Sequence, residues 1–424
     1  MRSRAGIVVT GTEVLTGRVA DRNGPWLAER LREFGVDIAQ VIVVGDRPDD
    51  LRGALAFFAG SGVDLVITTG GLGPTADDLT AEVVGEFQGR AAALDATLER
   101  HIAGIVERLR AGRGWQMDPA ATAEATRKQA LVPDGANVLA PVGTAPGLIV
   151  TPAPGRALAP VVVLPGPPRE LQGMWAATLA DATVQAALAG RSELRQRTIR
   201  MWGVAESELA ATLRRAGARL EGLEITTCLG DGELEVVTRY APDREDAYRE
   251  LAAAIDLAHG AAVFSPDGRT VDDIVADALI DAQLTIATAE SCTAGLLVGR
   301  LTERAGSSAY VLGGLVVYTN TAKTELAGVP PALIDEVGAV SAEVARALAA
   351  GARERLGADI GVGITGIAGP GGGSAGKPVG LVHLCASSAQ AQLERRIVLP
   401  GSRADVRHRS VVLALHMLRE LLAG

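Results

Sequence analysis

The stretch ATAESCTAGLL, residues 287–297, sets a serine beside a cysteine where strand-like sequence gives way to helix-like sequence. Ser291 follows the apolar run LTIATAE and precedes CTAGLLVGRL. Its hydroxyl is therefore predicted to emerge where the first helical N–H groups are free to stabilise an oxyanion, a placement suited to acyl transfer. The plainer reading has Ser291 or Thr293 capping the helix, so a nucleophilic role requires a base. Cys292 is a rival nucleophile, because a helix N-terminus lowers a thiol pKa; its alternative is a small buried residue of the first turn.

Of the histidines His101, His259, His383, His408 and His416, none is placed convincingly for that role: His383 reads as a strand residue, His408 and His416 as residues of the last helix. Lysine is the better lead. Only Lys128, Lys323 and Lys377 occur, and arginine supplies every other basic side chain. Arginine cannot release its proton at working pH, whereas a desolvated lysine can. Lys323 lies in VVYTNTAKTEL, just after a strand that also delivers Tyr318. A neutral Lys323 is expected to take the proton from Ser291 Oγ, with Tyr318 relaying or donating one; a surface lysine and a strand-edge tyrosine are the plain alternatives. Thr365 and Gly366, in ITGIAGPGGG, are expected at the mouth of an anion cradle, and Arg403, in PGSRADVRHR, can clamp a phosphate.

A second constellation lies near the N-terminus. VDLVITTGGLGPTADDLT runs from an apolar strand into a glycine-rich turn and a helix start. Gly70, Gly71, Gly73 and Thr75 suit close approach to a phosphate, although the spacing is neither that of a dinucleotide fingerprint nor of a P-loop. Asp77 and Asp78 would repel such a ligand unless a hard cation such as Mg²⁺ intervenes, and Asp46, with Glu13, follows an earlier strand towards the same sheet edge. Asp46, Asp77 and Asp78 are the expected metal ligands; the alternative is that the aspartates only favour a helix start. PGPPRE adds Arg169 for a phosphate and Glu170, unless it is a proline-rich turn.

Such sites need scaffolds, and 424 residues exceed what one core usually serves. Residues 1–174 alternate apolar strands with amphipathic helices, as do 268–424, while 175–267 have a different, α+β texture. The fold expected is two doubly wound α/β domains joined by a small α+β module. Hydrophobic residues at 48% and charged residues at 21% fit a folded protein. Aromatics at 3%, a net charge of -9 and no dense arginine run argue against nucleic acid as partner and leave small anionic ligands. Cys228, Cys292 and Cys385 match neither a disulfide framework nor a zinc ribbon. With no signal-peptide core and no membrane-length apolar run, a cytoplasmic protein is expected.

Taken together, GTEVLTGRVADRNGPWLAERL, TTGGLGPTADDLT and PGPPRE resemble the molybdopterin-binding-like domain of the competence/damage-inducible CinA family. AESCTAGLL, GSSAYVLGGLVVYTNTAK, GAVSAEVA and ITGIAGPGG resemble that family's nicotinamide mononucleotide amidohydrolase domain, and the middle would be its KH-like linker. The resemblance implies a deamidase producing nicotinate mononucleotide and ammonia, fused to a metal-assisted ADP-ribose pyrophosphatase, in a homodimer. Alternatives are a non-catalytic pterin- or nucleotide-binding scaffold, or activity in one domain only. By matching positions Ser291 is the nucleophile, Lys323 and Tyr318 handle protons, and the amides near Cys292 and Thr293 bind the oxyanion. Asn320 joins Thr365, Gly366 and Arg403 as a substrate contact, and no cofactor is implied for this domain. Ala294 stands where the family usually has Gly, and Thr319 and Thr321 where it has Ser and Glu. GDGE in the linker lacks the uncharged or basic loop that RNA binding would want.

Overall fold

A computed structural model describes residues 2–113 and 118–423. The chain divides into two compact units, Met1–Arg195 and Gln196–Gly424.

In the first unit the Val/Ile runs become a six-stranded sheet of β1 (Arg4–Thr10), β2 (Asp37–Val44), β3 (Leu65–Thr69), β4 (Asn137–Leu139), β5 (Gly147–Val150) and β6 (Val161–Leu164), ordered β2-β1-β3-β6-β5-β4. The first four strands of that order are parallel, and β5 and β4 extend it antiparallel. Strands β3 and β6 are buried at every residue because helices cover both faces. Alternation along the strands divides the core: Val8, Val66 and Val163 pack with Phe58 and Val84, whereas Ile7, Ile67 and Val162 pack with Leu27 and Leu31. The domain end expected at Met174 falls inside the helix Pro168–Ala180, where Met174 is part of this core. The apolar face of that helix continues past it and leaves no break there.

The second unit begins with β7 (Arg195–Trp202), β8 (Leu223–Gly230), β9 (Glu233–Tyr240) and β10 (Val263–Ser265), ordered β8-β9-β7-β10. Helices Glu206–Ala216 and Glu245–His259 press Leu209, Leu251 and Ile255 onto Ile199, Met201, Leu234 and Val236 of this sheet. The rest is built on β11 (Ile286–Glu290), β12 (Val311–Val316), β13 (Ile360–Gly366), β14 (Leu381–Ser387) and β15 (Gln392–Val398), ordered β12-β11-β13-β14-β15. Glycine brings one helix very close: a Cβ at Gly361 or Gly363 would lie 2.0 or 2.1 Å from the carbonyl of Ala349 or Ala345, in the helix Ala342–Leu356. Strands β12, β11 and β13 are parallel, and β14 and β15 antiparallel. Parallel strands end at one edge, so Ser291, Tyr318 and Thr365 arrive together at the carboxyl ends of β11, β12 and β13.

Both large sheets are thus mixed, and the architecture is α/β with a small α+β module. Among the described residues no helix is long and apolar enough to cross a membrane.

Candidate active site

The helix expected from Cys292 onward runs only from Leu296 to Leu301. Residues 291–295 form a turn instead, in which Ala294 has φ +51° and Gly295 φ +90°. The cause is Glu290, a buried residue that the sequence reading passed over. Its Oε2 accepts from the amides of Gly295 at 3.0 Å and Leu297 at 3.1 Å. Its Oε1 accepts from the Val298 amide at 2.9 Å and the Thr288 hydroxyl at 3.1 Å. These helical amides are therefore occupied by a carboxylate and do not serve Ser291, contrary to expectation. The amides of Cys292 and Thr293 have no carbonyl partner among the described residues and both lie near the Cys292 sulfur; Cys292 borders the cavity at Ser291, whereas Thr293 is fully buried and does not. On the carbonyl side of the turn, Arg407 Nε and Nη2 donate to the carbonyls of Cys292 and Thr293, each at 3.0 Å.

Lys323 is 2% exposed, in the helix Asn320–Ala327. Its Nζ lies 3.1 Å from Ser291 Oγ, 3.0 Å from the Val317 carbonyl and 3.2 Å from the Tyr318 carbonyl. Burial pulls its pKa below the usual amine value. Among the described residues the only ionisable group acting on it is the Cys292 thiol, and no carboxylate pairs with it. Two carbonyls and one hydroxyl complete the shell of either protonation state. A neutral amine gives two N–H groups to the carbonyls and its lone pair to the serine O–H; an ammonium donates to all of them. The surface-lysine alternative does not apply.

Cys292 is 4% exposed and packs in the apolar core of this domain. Burial pushes its thiol up to about 11, so the thiolate is scarce at neutral pH and the rival nucleophile is disarmed. His408 and His416 are engaged away from the cavity. His408 is 3.0 Å from Asp231, and His416 stacks on Trp202 with ring centroids 3.9 Å apart while meeting Glu233 at 2.7 Å. His383 faces Thr365 across the β13–β14 register.

Ser291, Tyr318, Asn320, Thr365, Gly366 and Arg403 all line one cavity of about 250 Å³. The Tyr318 hydroxyl accepts from Arg403 Nη2 at 2.9 Å, and Arg403 Nη1 donates to the Gly369 carbonyl at 3.0 Å. It is thus the carbonyl of Tyr318, and not its hydroxyl, that meets Lys323. Thr365 Oγ1 donates to the Ala339 carbonyl at 2.7 Å, tying β13 to the loop before the helix Ala342–Leu356. Thr319, one of the departures from the family strings, caps its helix by accepting from the Ala322 amide at 3.1 Å.

In the first unit, Gly70, Gly71, Gly73, Asp46, Asp77 and Asp78 line a cavity of about 840 Å³, joined by Glu13 and Glu170. Arg169 is exposed and is not part of that lining; its neighbour Glu170 is, and burial raises the Glu170 pKa. Thr75 acts on the aspartates: its hydroxyl lies 2.5 Å from Asp77 and 2.6 Å from Asp78 and gives its one proton to either, its amide donates to Asp78 at 2.9 Å, and its carbonyl accepts from Lys128. Asn23, unnoticed in the sequence, bridges Thr69 Oγ1 at 2.9 Å and the Gly166 carbonyl at 2.7 Å. Among the described residues no three His, Cys, Asp or Glu side chains gather as metal ligands would. Asp46, Asp77 and Asp78 share the cavity wall without forming a ligand set.

Residues 268–422 match the model of the CinA C-terminal domain, and residues 6–185 that of a probable molybdopterin binding domain. A CinA-like protein of Mycobacterium sp. (strain JLS) is 57% identical over 426 residues, covering 100% of this chain and 99% of that one. A CinA-like protein of Mycobacterium tuberculosis (strain ATCC 25177 / H37Ra) is 53% identical over 429 residues, with 100% and 98% covered. The crystal structure of a competence/damage inducible protein from Agrobacterium tumefaciens shares 42% identity, covers 36% of this chain and 96% of that chain, and superposes with a TM-score of 0.35. From matches that run the full length of the chain, it follows that this protein belongs to the CinA family.

Proposed function

We propose that the C-terminal domain hydrolyses the carboxamide of nicotinamide mononucleotide to nicotinate mononucleotide and ammonia. The observation that carries this reading is the 3.1 Å approach of Lys323 Nζ to Ser291 Oγ inside a buried, carboxylate-free shell. A lysine held there works as a base and not as a counter-ion. A cavity of about 250 Å³ takes a small head group and not a polymer, and Arg403 beside the glycine-rich loop suits a phosphate.

In this reading Ser291 Oγ bonds to the carboxamide carbon as its proton passes to Lys323, and the carbonyl electron pair moves to an oxygen beside Cys292, whose amide borders the cavity. Collapse restores the carbonyl and breaks the C–N bond; the proton on Lys323 leaves with the nitrogen as ammonia. Water then adds to the ester, giving its proton to Lys323. The second collapse returns that proton to Ser291 and releases the acid. Tyr318, bound to Arg403, borders the phosphate end in this arrangement. The test is ammonia release by purified protein, then by Ser291→Ala and Lys323→Ala. Full activity in Ser291→Ala removes the serine mechanism, and full activity in Lys323→Ala removes the base. Tight binding of the nucleotide without turnover favours a non-catalytic scaffold.

A second reading concerns the 840 Å³ cavity, whose glycine turn suits a pyrophosphate ligand such as ADP-ribose, with the divalent cation that the family resemblance implies. The carboxylates as placed do not form a ligand set, so no step is assigned to the cation. AMP release from ADP-ribose with and without Mg²⁺ tests it; no release in either condition removes it.

A further inference from the structure

The GDGE string of the small module turns out to be the tip of the β8–β9 hairpin, and its acids reach the C-terminal helix, Arg403–Ala423. Asp231 at φ +53° and Gly232 at φ +92° form the two-residue turn that an Asp-Gly pair favours. Asp231 lies 3.0 Å from His408 Nε2 and 3.8 Å from Arg409 Nε, and Glu233 Oε1 lies 2.7 Å from His416 Nε2. Positions 409 and 416 are about two helical turns apart, so one face of the helix meets the tip. The tip is tied to Trp202 of β7: the Gly203 amide donates to the Gly232 carbonyl at 3.2 Å, and a Cβ at Gly232 would lie 3.0 Å from the Trp202 ring.

His416 is the buried member of this contact, 1% exposed. Its ring stacks on Trp202 with centroids 3.9 Å apart and meets Phe264 of β10 edge-on at 4.8 Å. Its Nδ1 is enclosed and has no hydrogen-bond partner among the described residues. A neutral ring suits this setting, donating from Nε2 to Glu233 and leaving Nδ1 bare. A second proton would put a charged N–H where nothing accepts it. Burial holds the His416 pKa below the usual imidazole value, against the pull of Glu233 and Glu420 and with the help of Arg419. Arg300, paired with Asp272, acts on Glu233, and the Trp202 face favours a cation. His408 is exposed, so its pair with Asp231 weighs little in either charge state.

We propose that this contact is an acid-released latch: protonation of His416 lifts the hairpin tip and Trp202 off the C-terminal helix, which then holds Arg403 less firmly at the candidate active site. Arg403 opens this helix and lines the cavity of Ser291. Lifting the tip exposes the ring, which then takes up a proton at the ordinary value of about 6.5. Docking is therefore at full strength above that value. It weakens by about tenfold per pH unit from there down to the lower pKa of the docked ring. A site that is competent only while the latch is closed binds its ligand more weakly in proportion to the closed fraction. The latch itself goes beyond the amidohydrolase reading; its effect on nucleotide binding rests on that reading.

The experiment measures hydrogen exchange of residues 228–235, corrected for intrinsic rates, at about pH 8 and about pH 5 in the full chain as wild type, His416→Gln and His408→Asn. His416→Gln offers Glu233 a neutral N–H and cannot titrate. Wild type and His408→Asn are expected to lose protection by roughly 10-fold or more on acidification, and His416→Gln to keep it. Nitrogen-15 NMR of the histidines reads the ring without any variant and is expected to find docked His416 neutral, with its proton on Nε2. Near pH 5 the wild-type KM for nicotinamide mononucleotide, or its Kd by calorimetry, is expected about threefold or more above that of His416→Gln, with equal values near pH 8. Protonation of Lys323 is common to both proteins and cancels in that ratio. Wild-type exchange that ignores pH, the same response in His416→Gln, or a charged His416 ring in the docked protein overturns the latch. Equal affinities at both pH values overturn its link to the site. A wild type that neither binds nor turns over the nucleotide overturns the amidohydrolase reading and that link with it, while exchange and NMR still decide the latch.

Discussion

Glu290 and Gly295 meet at 3.0 Å, carboxylate oxygen to amide, across the turn that carries the candidate nucleophile. The contact explains why the chain leaves β11 without entering a helix at once. A buried carboxylate must find donors, and the first amides of the helix Leu296–Leu301 are the nearest ones. The acid thus determines where the helix begins, and so leaves Ser291 on a turn.

Glu290→Ala is expected to destabilise this domain by about 2–4 kcal/mol, since buried amides lose their acceptor. Glu290→Gln retains one acceptor oxygen but sets an NH₂ against an amide, and is expected to lose less. Urea unfolding monitored for the second unit measures both. A loss below about 0.5 kcal/mol in Glu290→Ala would show that water replaces the carboxylate without cost.

Activity is expected to rise with pH as Lys323 loses its proton, and to level off below the range of an ordinary amine because burial lowers its pKa. The same shift has a stability sign. The unfolded chain keeps the lysine proton to higher pH than the folded one, so unfolding takes up a proton between the two pKa values. The contribution of Lys323 to stability therefore rises with pH through that window. A kcat/KM profile that keeps rising into the ordinary amine range, or one with no acid limb at any pH at which the protein stays folded, would contradict the base assignment.

Ala294 is exposed and sits at φ +51°, a left-handed backbone that costs a residue with a Cβ about 1–2 kcal/mol. Glycine relieves the strain but brings more freedom to the unfolded chain, so Ala294→Gly is expected to stabilise by a net of about 0.5–1 kcal/mol. A shift of the thermal midpoint upward, with ammonia release kept, is the expected result. A lower midpoint would mean that the Ala294 methyl makes contacts outweighing the strain.

Arg403 joins Tyr318 to the Gly369 carbonyl at the cavity edge. If it also binds the nucleotide phosphate, Arg403→Ala is expected to raise KM for nicotinamide mononucleotide by roughly 10- to 100-fold, the worth of a charged hydrogen bond. Weak turnover of nicotinamide riboside, which lacks the phosphate, should change little. Equal losses on both substrates would place the role of Arg403 elsewhere.

Much of the C-terminal site was legible because its residues sit at strand ends, where the chain itself announces them. Apolar runs ending in SerCys at Ser291, in Tyr318 and in Thr365 follow from pattern alone, and the scarcity of lysine singled out Lys323. Glu290 escaped notice because a charged residue at the end of an apolar strand reads as solvated until its donors are located, and these come from residues 288–298 only after the turn has closed. Arg407 was one of four arginines in the C-terminal helix, with nothing in the sequence to set it apart. In the first unit the sequence named Arg169 and Glu170 together, and only Glu170 lines the cavity, because one residue along a helix changes the face by about 100°.

By itself the sequence determined which segments are buried and where each strand hands over to a turn, because burial follows the periodicity of apolar side chains and needs no partner to be read. Only the tertiary structure decided which of the polar residues at those ends meet. Lys323 is 32 residues from Ser291 along the chain and 3.1 Å away in space. Lys323 is suited to the proposed role of base only because the Val317 and Tyr318 carbonyls and the surrounding core have taken water from it.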